Sequence, residues 1–139
     1  MSTSTVPRTN QRTPAEWFAI VSAGVYLGAG LIGFLVTGFD DFAGLTDEKI
    51  IILAVNPIHN IVHLTLGAVY LAGLQGAERA RQVNLLVGLG LLAAFVLGIA
   101  GGADFLNIDG VSEPDNWLHL VWGAASVWFA RDLGKAAAR

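Results

Sequence analysis

Apolar residues fall into four long blocks along this chain, each bounded by polar or glycine-rich stretches. The blocks run from about Trp17 to Phe39, Pro57 to Leu74, Gln82 to Gly101 and Pro114 to Ala130. A helix needs about 20 predominantly apolar residues to cross the hydrocarbon core of a bilayer, so the pattern predicts four spans with short connections. The first block is too long for a secretory signal and reads as an uncleaved span. Helix starts are marked as well. Thr13-Pro14-Ala15-Glu16 supplies a capping residue, a proline suited to the first helical position and an acid placed to close a capping box. Asn56-Pro57 opens the second block similarly, and Ser112 with Asp115 offers another capping box around Pro114. Ile50–Val55 is apolar, but the residue before Pro57 is pushed away from helical backbone. A break is therefore expected there, with Ile50–Val55 lying in the membrane interface or packed on the bundle.

One phrase occurs twice. Asn60, His63, Leu64, Gly67 and Ala68 recur as Asn116, His119, Leu120, Gly123 and Ala124, every member offset by 56 residues. Asn and His are rare in membrane spans, so the match exceeds what a bias toward Leu, Gly and Ala produces. Spans one plus two then resemble spans three plus four. Two spans per unit make the repeats parallel, related by an axis along the membrane normal. Each repeated His lies seven residues past Asn56 or Ser112, roughly 10 Å below the start of its helix at 1.5 Å per residue.

Composition agrees with a bilayer protein. Of 139 residues, 54% are hydrophobic and 14% charged, where a soluble domain has about 25% charged. Mean hydropathy is +0.59. The net charge of −3 matters less than its distribution. Arg8, Arg12, Arg79, Arg81, Arg131, Lys135 and Arg139 fall on one side of the predicted spans, and only Lys49 on the other. The basic side is cytoplasmic by the positive-inside rule, which places both termini in the cytoplasm. Residues 1–12 read as a disordered cytoplasmic tail and 132–139 as a basic one, flanking a membrane domain over 13–131. The expected fold is all-α: an integral membrane four-helix bundle with an internal two-helix parallel repeat. Trp17 and Trp128 suit the interfacial aromatic belt.

Candidate chemistry is confined to the repeated phrase. The chain has no cysteine, which removes disulfides, thiolate metal sites and cysteine nucleophiles. There is no nucleophile–base pair, phosphate loop or nucleic-acid patch, so no catalytic residue is assigned. The leading reading is structural: Asn60, His63 and Gly67, with Asn116, His119 and Gly123, fix helix packing through hydrogen bonds and close approach, and no cofactor is expected. A second reading is a divalent metal site. His59 and His63 share a helix face, and the offset maps them onto Asp115 and His119, giving three imidazoles and one carboxylate. The opposing consideration is that His59 and Asp115 sit in first helical turns, where they would face solvent. A third reading is haem b with His63 and His119 as axial ligands and Gly67 and Gly123 leaving room beside them, although the acidic outer side is a poor match for propionates. Gly24 and Gly28 form one G-x-x-x-G motif and Gly98 and Gly102 another, both suited to close helix packing.

The phrase Asn56-Pro57-Ile58-His59-Asn60-Ile61-Val62-His63-Leu64, with Gly67 following, resembles the signature of bacterial membrane proteins catalogued as domain of unknown function 4383. Asp115-Asn116-Trp117-Leu118-His119-Leu120 resembles that family's last-span phrase. The resemblance covers about Trp17 to Ala130. It implies a small four-helix membrane protein common in actinobacteria, and it implies no activity. The expected role is a structural, accessory or partner subunit in the bacterial inner (plasma) membrane, as a homo-oligomer or within a larger membrane complex. The alternative is a metal- or haem-binding redox or sensor module.

Overall fold

The computed structural model describes residues 11–131. Of the tails expected over 1–12 and 132–139, residues 1–10 and 132–139, with Arg8, Lys135 and Arg139, lie outside the described residues. Four helices dominate: α1 (Pro14–Thr37), α2 (Pro57–Ala72), α3 (Ala77–Ile99) and α4 (Pro114–Phe129). A two-residue strand pair, β1 (Lys49–Ile50) and β2 (Leu53–Ala54), interrupts the loop after α1. Helices α1, α3 and α2, the last with its following 3-10 turn to Gln75, are long and apolar enough to cross a membrane. At 16 residues, α4 spans about 24 Å and falls short of that length.

Local chemistry starts the helices, with one departure from expectation. Thr13 and Glu16 form the capping box before α1, with the Thr13 amide donating to Glu16 Oε2 at 2.8 Å and the Glu16 amide to Thr13 Oγ1 at 3.3 Å. Asn56 caps α2 by accepting from the His59 amide at 2.9 Å. Ser112 does not cap α4. Glu113 occupies the cap position without a side-chain bond, because Asp115 turns inward toward two imidazoles instead of back toward Ser112. The apolar segment before Pro57 is a tight hairpin. Ile51 and Ile52 protrude at its turn, while Ala54 and Val55 are buried.

Helix α1 packs chiefly on α2 and α3 chiefly on α4. Glycines set these approaches, and of the four G-x-x-x-G glycines only Gly98 is among them. Gly24 and Gly28 face open space, and Gly102 lies beyond the end of α3. The close approaches are at Gly33 and Gly98. The place a Cβ would take at Gly33 is filled by Asn60 Oδ1, and at Gly98 by Asn116 Oδ1. Gly67 receives Leu27 of α1, and Gly123 receives Gly88 and Leu92 of α3, so neither leaves space for a flat cofactor.

The burial pattern is inverted relative to a soluble protein. Asn60, Asn84, Asn116, Ser22 and Ser126 are fully buried, while Leu35 is 87% and Leu86 68% exposed. Such an arrangement suits an apolar solvent, in which polar groups must find their partners inside. Gly33→Ala is expected to lower stability by about 1–3 kcal/mol through overpacking against Asn60. The cost should shrink when Asn60→Ala is already present, since contacting sites are not additive. Gly24→Ala, in open space, should be neutral or gain up to about 1 kcal/mol. Thermal unfolding in mild detergent reads all three, and equal effects at Gly33 and Gly24 would contradict the seating.

Candidate metal centre

Three of the four proposed metal-ligating residues converge. Asp115 Oδ2 lies 3.3 Å from His59 Nε2 and 3.6 Å from His119 Nε2, and the three ligand atoms lie within 4.8 Å of one another. His59 comes from the first turn of α2 and Asp115 from the first turn of α4, with His119 one turn further along. Neither first-turn residue faces solvent: His59 is 1% and Asp115 3% exposed. Asp115 Oδ2 and the Nδ1 atoms of His59 and His119 are buried without a hydrogen-bond partner among the described residues.

His63 stands beside this group rather than in it. Its ring packs 4.4 Å from that of His59 and 5.6 Å from Tyr26, centroid to centroid, and its Nδ1 is likewise buried without a partner. His63 and His119 both line the two clefts that flank the group, one between α2 and α3 and one between α1 and α4. The nearest neighbour of the His63 ring is therefore His59.

Two long loops close the group off at one end, and their joining is a feature sequence reasoning missed. Asn56 Nδ2 donates to the carbonyl oxygens of Gly44 and Phe105, both at 2.9 Å. Asn107, in left-handed backbone at φ 62°, donates to Thr46 Oγ1 at 2.9 Å and Val55 O at 3.0 Å. Its Oδ1 accepts from the Thr46 amide at 2.7 Å. These bonds satisfy main-chain groups beside the site that would otherwise be buried unpaired. Beyond this lid, Asp47, Asp109 and Glu113 line an acidic recess with Lys49.

A second buried polar contact joins α2 to α4 further along. Tyr70 Oη and Ser126 Oγ are 2.7 Å apart, and Tyr70 is fully buried. Both this pair and His59–Asp115 consist of residues 56 apart in sequence. The repeat offset already contained this pairing, although Tyr and Ser share too little for the match to be visible. Trp122 Nε1 donates to Ser22 Oγ at 3.1 Å, and Asn84 Nδ2 to Ala15 O at 3.1 Å. Tyr70→Phe is expected to cost about 1 kcal/mol. Ser126→Ala should then cost less in the Tyr70→Phe background than in the wild type. Thermal unfolding of the four proteins in one detergent checks this, and strict additivity would contradict the bond.

No curated protein and no solved structure matches the chain. One family model does, over residues 16–131, which takes in all four helices and both loops. The chain belongs to the family described as a domain of unknown function, DUF4383.

Proposed function

We propose that this protein is a four-span membrane bundle of two parallel helix pairs that binds one divalent metal ion through His59, Asp115 and His119. The observation that carries the reading is Asp115 Oδ2, buried, close to two imidazole nitrogens and hydrogen-bonded to neither. The 3.3 Å spacing to His59 matches the edge of a tetrahedron around an ion with bonds of about 2.0–2.1 Å, roughly 3.3–3.4 Å, and the 3.6 Å spacing to His119 is slightly longer. Two imidazoles and a carboxylate suit Zn²⁺ or another first-row divalent ion and leave a fourth position open. An ionisable residue inside a span is costly and marks function more often than packing.

Contacts between residues 56 apart support the parallel repeat, because equivalent residues meet each other only near the axis relating the units. The charge distribution supports cytoplasmic termini and a bacterial plasma membrane. Although α4 is short, Trp117, Leu118 and Val121 extend its apolar surface against Ile51 and Ile52 at the loop end. Arg131 stacks over Trp128 at the other end, 4.5 Å from the ring centroid, as interfacial anchors do.

The geometry favours metal over haem. A macrocycle ligated by His63 and His119 would have to displace the His59 ring, 4.4 Å from one and 6.2 Å from the other. It also favours metal over a purely structural role, since packing alone gives no reason to bury a carboxylate oxygen without a hydrogen bond. Metal analysis of protein purified in mild detergent should find about one divalent ion per chain, absent from Asp115→Ala and His119→Ala but retained in Tyr70→Phe. Chelation should lower the unfolding temperature of the wild type, as loss of any native-state ligand does. A folded, metal-free wild type whose stability Asp115→Asn leaves unchanged would overturn the reading and restore the structural one.

A further inference from the structure

The clefts on either side of the histidines are counterparts with different fillings. Residues on α2 match those on α4 at an offset of 56, and the two seated glycines, Gly33 and Gly98, match α1 to α3 at an offset of 65. By these offsets Trp122 corresponds to Leu66, Tyr26 to Leu91 and Val25 to Gly90. Each of the six lines its own cleft. Between α1 and α4, where the larger side chains stand, the cavity is about 170 Å³. Between α2 and α3, where the smaller ones stand, it is about 290 Å³. One side of a duplicated architecture has been kept open.

We propose that the larger cleft binds an elongated, lipid-soluble molecule, with its apolar tail between α2 and α3 and an uncharged oxygen-bearing head at His63. The cleft follows α2 from His59 to Val69, about 15 Å at 1.5 Å per residue, which suits a chain rather than a compact ligand. Its only polar side chains are histidines, gathered at one end, where Leu106 closes it. His63 lines the cleft and keeps 8% of its surface exposed, and no hydrogen bond ties its Nδ1 to another group among the described residues, so the ring is free to serve a head lying there. Leu86 and Gly90 line the cleft yet are exposed on the side of α3, so it opens laterally toward lipid. Asp115 and the acidic loops disfavour an anionic head. The volume is near the lower end of the roughly 300–1,000 Å³ usual for ligand pockets, enough for a head and the first part of a chain. This goes beyond the metal reading and stands without it, since the cleft and His63 carry it.

The test uses full-length protein in nanodiscs and a long-chain alcohol bearing a diazirine next to its hydroxyl end, with unlabelled alcohol as competitor. Mass spectrometry should place a competable label on α2 and α3 around His63 and Gly90. Leu66→Trp with Gly90→Val, which gives the open cleft the side chains of its closed counterpart, should abolish that label. A label spread without competition over lipid-facing positions such as Leu31, Leu35 and Leu97 would overturn the proposal, whether or not the variant folds. So would a competable label that the filled variant retains. Metal content measured on the same samples separates the two readings: metal without competable label removes the lipid ligand alone, and label without metal removes the ion alone.

Discussion

A polar group surrounded by hydrocarbon has no water to fall back on, and much of this architecture follows from that constraint. Asn60 and Asn116 lie within apolar helices, and each is accommodated because a glycine on the neighbouring helix lets the backbone come close. Asn60 donates to Thr37 Oγ1 at 2.9 Å and Asn116 to the Gly110 carbonyl oxygen. The same two seats set the depth at which α1 meets α2 and α3 meets α4. With that depth set, His59 and His63 on one helix arrive level with Asp115 and His119 on another. Alanine at either glycine would move the helices apart and carry the histidines with them.

The proposed parallel repeat would account for polar contacts between α2 and α4 that pair residues of different kinds. Near an axis of this type each residue meets its own counterpart, so an exact repeat would place His against His and Tyr against Tyr. The chain instead has His59 against Asp115 and Tyr70 against Ser126. Each substitution turns a like pair into a complementary one. A carboxylate replaces one of two imidazoles, and a small hydroxyl replaces one of two bulky phenols that could not both fit. Under that proposal the two halves differ most where symmetry would be unfavourable, and the unequal clefts extend the difference to α1 and α3.

Much of this was legible in the chain. The apolar blocks gave helices whose ends fall near the observed ones except at the start of α3, which begins at Ala77 rather than Gln82, and the repeated phrase picked out Asn60, His63, Asn116 and His119. The failures have physical causes. Asp115 was open to reading as a helix-capping acid because capping is a local rule, whereas its partner His59 lies 56 residues away. The G-x-x-x-G pairs misled in part because spacing alone does not say which face of a helix meets a neighbour; of their four glycines only Gly98 is closely seated, and on α1 the packed ones are Gly30 and Gly33, at another spacing. The loop closure through Asn107 gave no signal, since an asparagine in a left-handed turn looks like any loop asparagine until Thr46 and Val55 are brought to it. The offset of 65 between α1 and α3 was hidden because Val25 and Gly90, or Tyr26 and Leu91, share no chemistry.

The position of the charged group bears on what the site is for. Asp115 sits in the first turn of α4, beneath loops held together by Asn56 and Asn107 and beside a recess lined by Asp47, Asp109 and Glu113. A purely structural pair would gain from replacement by apolar residues of similar volume, as buried ion pairs often do. The costs of retaining this one include a desolvated carboxylate, three unpartnered imidazole nitrogens and a lid made to cover them. The carboxylate's cost is offset when a cation occupies the point toward which His59 Nε2, Asp115 Oδ2 and His119 Nε2 converge, because the ion gives that oxygen a ligand bond in place of its missing hydrogen bond. The acidic recess would raise the local concentration of that cation.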